Sequence, residues 1–105
     1  MAEDKILFEV VSKLGKKVRI TKEYWQRITS IKHPRMKGQE RAVIETLRSP
    51  TEVRQSKSDP AVYLYYRPEG KYFMTVVVKH LNGEGFIVTA YVTEKVKEGT
   101  RVRKR

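Results

Sequence analysis

Residues 61–93 read AVYLYYRPEGKYFMTVVVKHLNGEGFIVTAYVT, and the pairing of this stretch with itself decides the fold. Three runs rich in β-branched and aromatic residues, 61–67, 71–80 and 85–93, are separated by Pro68-Glu69-Gly70 and Asn82-Gly83-Glu84, turn chemistry that joins antiparallel neighbours. Successive side chains of a strand point to opposite faces, so loop length fixes which residues share a face. Three-residue loops set Arg67 opposite Lys71 and Leu81 opposite Gly85. That register gathers Val62, Leu64, Tyr66, Tyr72, Met74, Val76, Val78, Phe86, Val88, Ala90 and Val92 on one face, the expected core. Asn82-Gly83 alone would also suit a two-residue turn, but that register mixes apolar with polar positions. The opposite face then carries Tyr63, Tyr65, Arg67, Lys71, Phe73, Thr75, Val77, Lys79, Ile87, Thr89, Tyr91 and Thr93, rings and hydroxyls interleaved with cations.

Upstream, residues 6–12 and 17–20 read as two short strands around Leu14-Gly15-Lys16. Thr21 stands where a helix N-cap is wanted, and Tyr24, Trp25, Ile28 and Ile31 keep helical spacing as far as Lys32. Proline disfavours helical geometry in the residue before it, which ends this helix at His33-Pro34. A second helix is predicted over 39–48, with Val43, Ile44 and Leu47 on one face and Ser49-Pro50 as its stop. Residues 52–56 suit a short strand before the turn Lys57-Ser58-Asp59-Pro60. The predicted class is α+β: an N-terminal hairpin or pair of strands and two helices packed on one face of an antiparallel sheet of about four strands. Residues 1–93 are expected to form one domain, and 94–105, with six basic side chains and no periodicity, a basic C-terminal tail.

The chain has 23 Lys and Arg against 12 Asp and Glu, a formal net charge of +11, which no small fold needs for stability. Such charge costs self-repulsion and serves a polyanionic partner. A charge-rich thermophile surface would explain the abundance of charge but not the imbalance of sign. Membrane binding would call for a basic amphipathic helix or a lipidation signal, and neither is present. The partner expected is RNA, with DNA the lesser alternative. The absence of cysteine excludes disulfides, a thiol nucleophile and Cys-ligated zinc, and two histidines are a poor start for a metal site. No cofactor or metal is expected. The opening MAEDKILFEVV carries acid before any apolar stretch, unlike a secretory signal, so a cytoplasmic location is the simplest expectation.

Aromatic rings among cations on an exposed sheet are what single-stranded nucleic acid requires, because cations hold phosphates while rings stack on bases. Tyr63, Tyr65, Arg67, Lys71, Phe73 and Thr93 are the candidate binding residues. The same residue types are also good strand formers at half-exposed positions. RNA cleavage without metal needs a base for the ribose 2′-hydroxyl proton, an acid for the leaving oxygen and charge for the phosphorane. His33, at a helix exit among Lys32, Arg35 and Lys37, is the candidate base or acid. Lys79 and Arg54 could stabilise charge, and Thr89, Tyr91 and Thr93 line up hydroxyls along one strand. His80 falls in the core-facing phase at a strand end and reads as a packing residue.

The succession KVRITKEYWQRI, KHPRM, TLRSP, VRQS-KSDP-AVYLYYR, YFMTVVVK and GFIVTAYVT resembles small ribonuclease-like domains of the barnase–EndoU–colicin–RelE superfamily, found in phage-associated and toxin-like proteins. The resemblance spans residues 17–99 and rests on the His-Pro pair, the Asp-Pro-x-x-x-Leu-Tyr-Tyr-Arg stretch and the Thr-Ala-Tyr-x-Thr strand. It implies helices packed on an antiparallel sheet whose free face cleaves RNA without metal, often in a toxin–antitoxin pair. By the same resemblance His33, Arg54, Lys79, Thr89 and Tyr91 would be catalytic, with Thr93 beside them, and an acidic antitoxin or inhibitor would be a protein partner. A non-catalytic module for single-stranded RNA or DNA, or a basic protein that docks an acidic partner, would use the same residues.

Overall fold

The computed structural model describes residues 5–94 and 100–102, the last three as backbone. Along them run β1 (Ile6–Val11), β2 (Lys17–Thr21), α1 (Lys22–Arg27), a π-helical turn (Ile28–Lys32), a 3₁₀ turn (Pro34–Met36), α2 (Glu40–Arg48), β3 (Glu52–Gln55), β4 (Val62–Glu69), β5 (Tyr72–Leu81), β6 (Glu84–Thr93) and β7 (Thr100–Val102). The α+β class is as expected, but the sheet is larger and mixed. It has seven strands in the order β1-β2-β6-β5-β4-β3-β7, antiparallel throughout except where β2 lies parallel to β6. The N-terminal hairpin thus extends the main sheet, through a pairing of Lys17 with Glu84 that no local pattern announces. Thr100–Val102, in the segment expected to be a tail, pairs with β3, while 95–99 and 103–105 lie outside the described residues.

Both central hairpins are tighter than expected. Asn82 and Gly83 take φ of 50° and 84°, the two left-handed positions of a type I′ turn, and Leu81 pairs with Glu84. The β6 strand then spends one extra residue: Val78 pairs with Ile87 and Val77 with Thr89, leaving Val88 as a bulge. Beyond the bulge the expected register returns, with Val76 opposite Ala90 and Met74 opposite Val92. Before it the faces exchange. Ile87 is therefore buried in the core at 3% exposure, whereas Phe86, expected inside, is 39% exposed.

The β4–β5 hairpin closes on Gly70-Lys71, with Glu69 opposite Tyr72 and glycine at the left-handed first position, φ 64°. This register turns β4 over relative to the expected one. Tyr63 and Tyr65 face the helices, paired with Val78 and Val76, and Val62, Leu64 and Tyr66 face the other way. Lys71 sits in the turn. Sorting by hydrophobicity failed because both sides of VYLYY are equally apolar or aromatic.

Helical side chains Trp25, Ile28, Met36, Val43 and Leu47 close on one side of the sheet and form a single core with Val18, Tyr65, Val76 and Val78. Thr21 caps α1 as expected, its Oγ1 accepting from Tyr24 N at 3.1 Å. The helix then widens: His33 N–H donates to Ile28 O at 2.7 Å, an i→i+5 bond. The extra residue in that turn rotates Ile31 out of the apolar stripe to 74% exposure. Trp25 Nε1 donates to Glu40 Oε2 at 3.1 Å and so ties α1 to the first turn of α2.

The parallel β2–β6 contact leaves no room for a side chain at Gly85. A Cβ there would stand 2.9 Å from Val78 Cγ1 and 3.0 Å from Val18 Cγ2. Both neighbours are fully buried, so they cannot swing away freely. We expect Gly85→Ala to cost roughly 1–3 kcal/mol of stability, the usual penalty for overpacking. Urea denaturation measures it, and an unchanged midpoint would show that the two valines yield without cost.

Candidate functional site

The face turned away from the helices is laid out in rows by strand register. Glu52, Tyr66, Thr75 and Tyr91 form one row across β3, β4, β5 and β6. Arg54, Leu64, Val77 and Thr89 form the next. Pro68, Phe73 and Thr93 flank the first row, and Val62, Lys79 and Phe86 flank the second. The face is less open than expected: Tyr66, Leu64 and Thr75 are buried. Of the proposed binding residues, Phe73 and Thr93 stand on this face. Tyr63, Tyr65 and Arg67 do not, because the β4 register places them on the helical side, and Arg67 Nη1 donates to Ser49 O at 2.6 Å. Lys71 is exposed at the hairpin tip.

The pairing of β2 with β6 covers residues 84–86. The 3₁₀ turn lies against β6, anchored by the fully buried Met36. Pro34 opens the turn and His33 precedes it in an extended conformation, φ −142° and ψ 81°. The result brings the His33 ring to 5.5 Å from the Tyr91 ring, centroid to centroid, tilted by 42°. Both residues line a cavity of about 160 Å³, with Lys32, Arg35 and Val92.

Two hydroxyls beside this pair are unusual. Thr75 Oγ1 and Thr89 Oγ1 are shut off from solvent with no hydrogen-bond partner among the described residues. A buried hydroxyl without a partner costs about 1–3 kcal/mol, so such groups are kept where something is bound or stored. Their sequence signal was alternation on the outer phase of β5 and β6, which flags Thr75 as readily as Thr89. Lys79 and Arg54, by contrast, stand apart from His33. Lys79 Nζ pairs with Asp59 Oδ2 at 3.5 Å, and Arg54 Nε with Glu52 Oε2 at 2.6 Å. Arg54 is three strands from Thr89, roughly 14 Å at ordinary strand spacing.

A second cluster lies on the helical side. The Tyr65 hydroxyl, fully buried, donates to Ser12 Oγ at 2.9 Å and lies 3.0 Å from His80 Nε2. With its proton on Ser12, the phenol oxygen accepts from the Nε2–H tautomer of a neutral imidazole. The His80 ring stacks on Tyr63 at 4.2 Å and 15°. Ser12 Oγ also accepts from Lys16 N at 3.3 Å, so the network fastens the β1–β2 loop to β4 and β5. Burial, with Lys16 nearby, pushes the His80 pKa down to about 4, and burial pushes Tyr65 up to about 12. His80 is thus more than a packing residue, which its core-facing phase alone does not reveal.

Among the described residues no group of three His, Cys, Asp or Glu side chains could hold a metal ion, and no helix is long and apolar enough to cross a membrane. No protein-family model, curated protein or solved structure matches the chain.

The His80 shift has a stability consequence of definite sign. Its folded pKa is below the ordinary 6.5, so between about pH 6.5 and 4 the unfolded chain binds the proton first and stability falls as pH falls. Tyr65 acts at the other end: its folded pKa exceeds the ordinary 10.0, so stability falls as pH rises from about 10 to 12. Urea midpoints at pH 7 and pH 5 should fall more steeply for the natural chain than for His80→Phe, which keeps a ring against Tyr63 and cannot titrate. Equal slopes would remove His80 as the source.

Proposed function

We propose that this chain binds single-stranded RNA across the outer face of its sheet and cleaves it beside the 3₁₀ turn, where His33 meets Tyr91 of β6. The observation that carries the reading is the His33–Tyr91 pair, 5.5 Å apart and lining a small cavity with Lys32 and Arg35. Support comes from the net charge of +11 that 23 Lys and Arg leave over 12 Asp and Glu. The resemblance to ribonuclease-like domains points the same way.

In the reaction, His33 takes the proton of the ribose 2′-hydroxyl as its oxygen forms a bond to the adjacent phosphorus. The bond from phosphorus to the 5′-oxygen breaks, and that oxygen leaves with the proton of the Tyr91 hydroxyl. The products are a 2′,3′-cyclic phosphate and a free 5′-hydroxyl. Lys32 and Arg35, which line the same cavity, offer positive charge to the developing phosphorane. Lys79 and Arg54, too distant for the reacting phosphate, serve the phosphates of the flanking nucleotides and exchange their carboxylate partners for them. The cations make binding steeply salt-dependent through counterion release. A free ribonuclease endangers its own cell, so an acidic protein that covers this face is the fitting protein partner.

The test is incubation of purified protein with mixed-sequence RNA in chelator, with product ends analysed. Cleavage to 2′,3′-cyclic phosphates, reduced about 10²–10⁴-fold in His33→Gln, is expected. Salt-sensitive binding with intact RNA would replace this reading with that of a non-catalytic RNA-binding module, and the absence of both would overturn it.

A further inference from the structure

The 3₁₀ turn grips the β6 edge from both sides. Tyr91 and Val92 are consecutive strand residues and point to opposite faces of the sheet. His33 meets Tyr91 on the outer face, while Arg35, two residues later, reaches the helical face and lies over the Tyr72 ring at 5.3 Å. A second cavity, also about 160 Å³, opens there between Arg35, Gln39, Glu69 and Tyr72. Arg35 and Val92 line both cavities, so the two adjoin across the edge of the strand. No hydrogen bond or ion pair engages the Arg35, Gln39 or Glu69 side chains among the described residues.

We infer that this second cavity is a base-reading subsite: it receives the nucleobase next to the reacting phosphate and sets sequence preference. The inference rests on RNA being the ligand of the His33 site. A strand whose phosphate sits at His33 and Tyr91 has its neighbouring base within reach of the far side of the same edge. The cavity holds what a base needs. Arg35 gives a planar cation on which an unstacked base can lie, as guanidinium planes do in RNA recognition. Glu69 accepts hydrogen bonds and cannot donate, and Gln39 does both, so the base edge is read by a fixed acceptor beside an adaptable group. Preference follows from Glu69, because a base that turns an acceptor toward it leaves two lone pairs opposed.

The test separates the subsite from the reaction by using RNA that cannot react. Four 2′-O-methyl octanucleotides, identical but for one central base, are titrated by fluorescence anisotropy against the natural chain, Glu69→Gln, Arg35→Ala and Arg35→Lys. The natural chain should favour one base over the least favoured by roughly fivefold or more, the span of one good base contact. Glu69→Gln should change the rank order, since it turns half of a pure acceptor into a donor. Arg35→Lys keeps the charge but loses the plane, and should flatten the preference as Arg35→Ala does. Tight binding of all four without preference would overturn the subsite and leave the RNA reading intact. Preference untouched by all three substitutions would also overturn it. No binding of any oligonucleotide, with no cleavage of ordinary RNA, would overturn both.

Discussion

The bulge at Val88 holds the two halves of β6 in their separate roles. Before it, Ile87 points into the core against Val78, and the turn of Asn82-Gly83 can close on two residues. After it, Ala90 and Val92 take the inner phase, and Thr89, Tyr91 and Thr93 the outer one. Without the extra residue one half would have its side chains on the wrong face, because a slip of one residue exchanges every position. A bulge leaves a carbonyl without a ladder partner, and here the Tyr24 hydroxyl, reaching across from α1, donates to Val88 O at 2.7 Å. The helix that leads to His33 is therefore bonded to the irregularity that orients Tyr91.

That connection bears on how the site is positioned. Strands give precise but flat placement, and a histidine delivered by a loop would move with the loop. In this chain the loop is shortened to a 3₁₀ turn with Met36 fully buried, after a π turn that inserts one residue into the helix. The insertion turns Ile31 outward, an apparent loss of burial. What it provides is a different exit angle for His33 while Ile28 remains fully buried.

The extent to which this was legible in the sequence follows from the range of each signal. Local chemistry was readable: the Thr21 cap, the stop at His33-Pro34, the second helix and the positions of β4, β5 and β6 all follow from neighbours within a few residues. Facing was readable only where one phase was clearly more polar, as in 89–93. In β4 the sequence VYLYY offers Val62, Leu64 and Tyr66 against Tyr63 and Tyr65, and amphipathy cannot choose. The glycine at 70 did carry the answer, as the first residue of a two-residue turn, but Pro68 made a longer loop equally reasonable. The parallel β2–β6 contact and the β7–β3 pair join residues far apart in the chain; the first leaves a sequence trace in Gly85, where β2 comes too close for a Cβ.

Moving Tyr63 and Tyr65 inward alters the balance of the outer face. It loses two rings that could stack on bases and retains Phe73, Tyr91 and the exposed Phe86, whose ring Arg19 covers at 4.9 Å. A surface with fewer rings depends more on charge, and charge alone does not distinguish one nucleotide from another. On the proposed RNA reading, discrimination comes from enclosed places where a base edge meets fixed polar groups. Two such cavities adjoin the 3₁₀ turn, one on each side of the β6 edge. The same 3₁₀ turn that brings His33 to the sheet also brings Arg35, and Met36 N–H donates to His33 O at 2.9 Å, so a substitution that loosens the Met36 side chain in the core would disturb both.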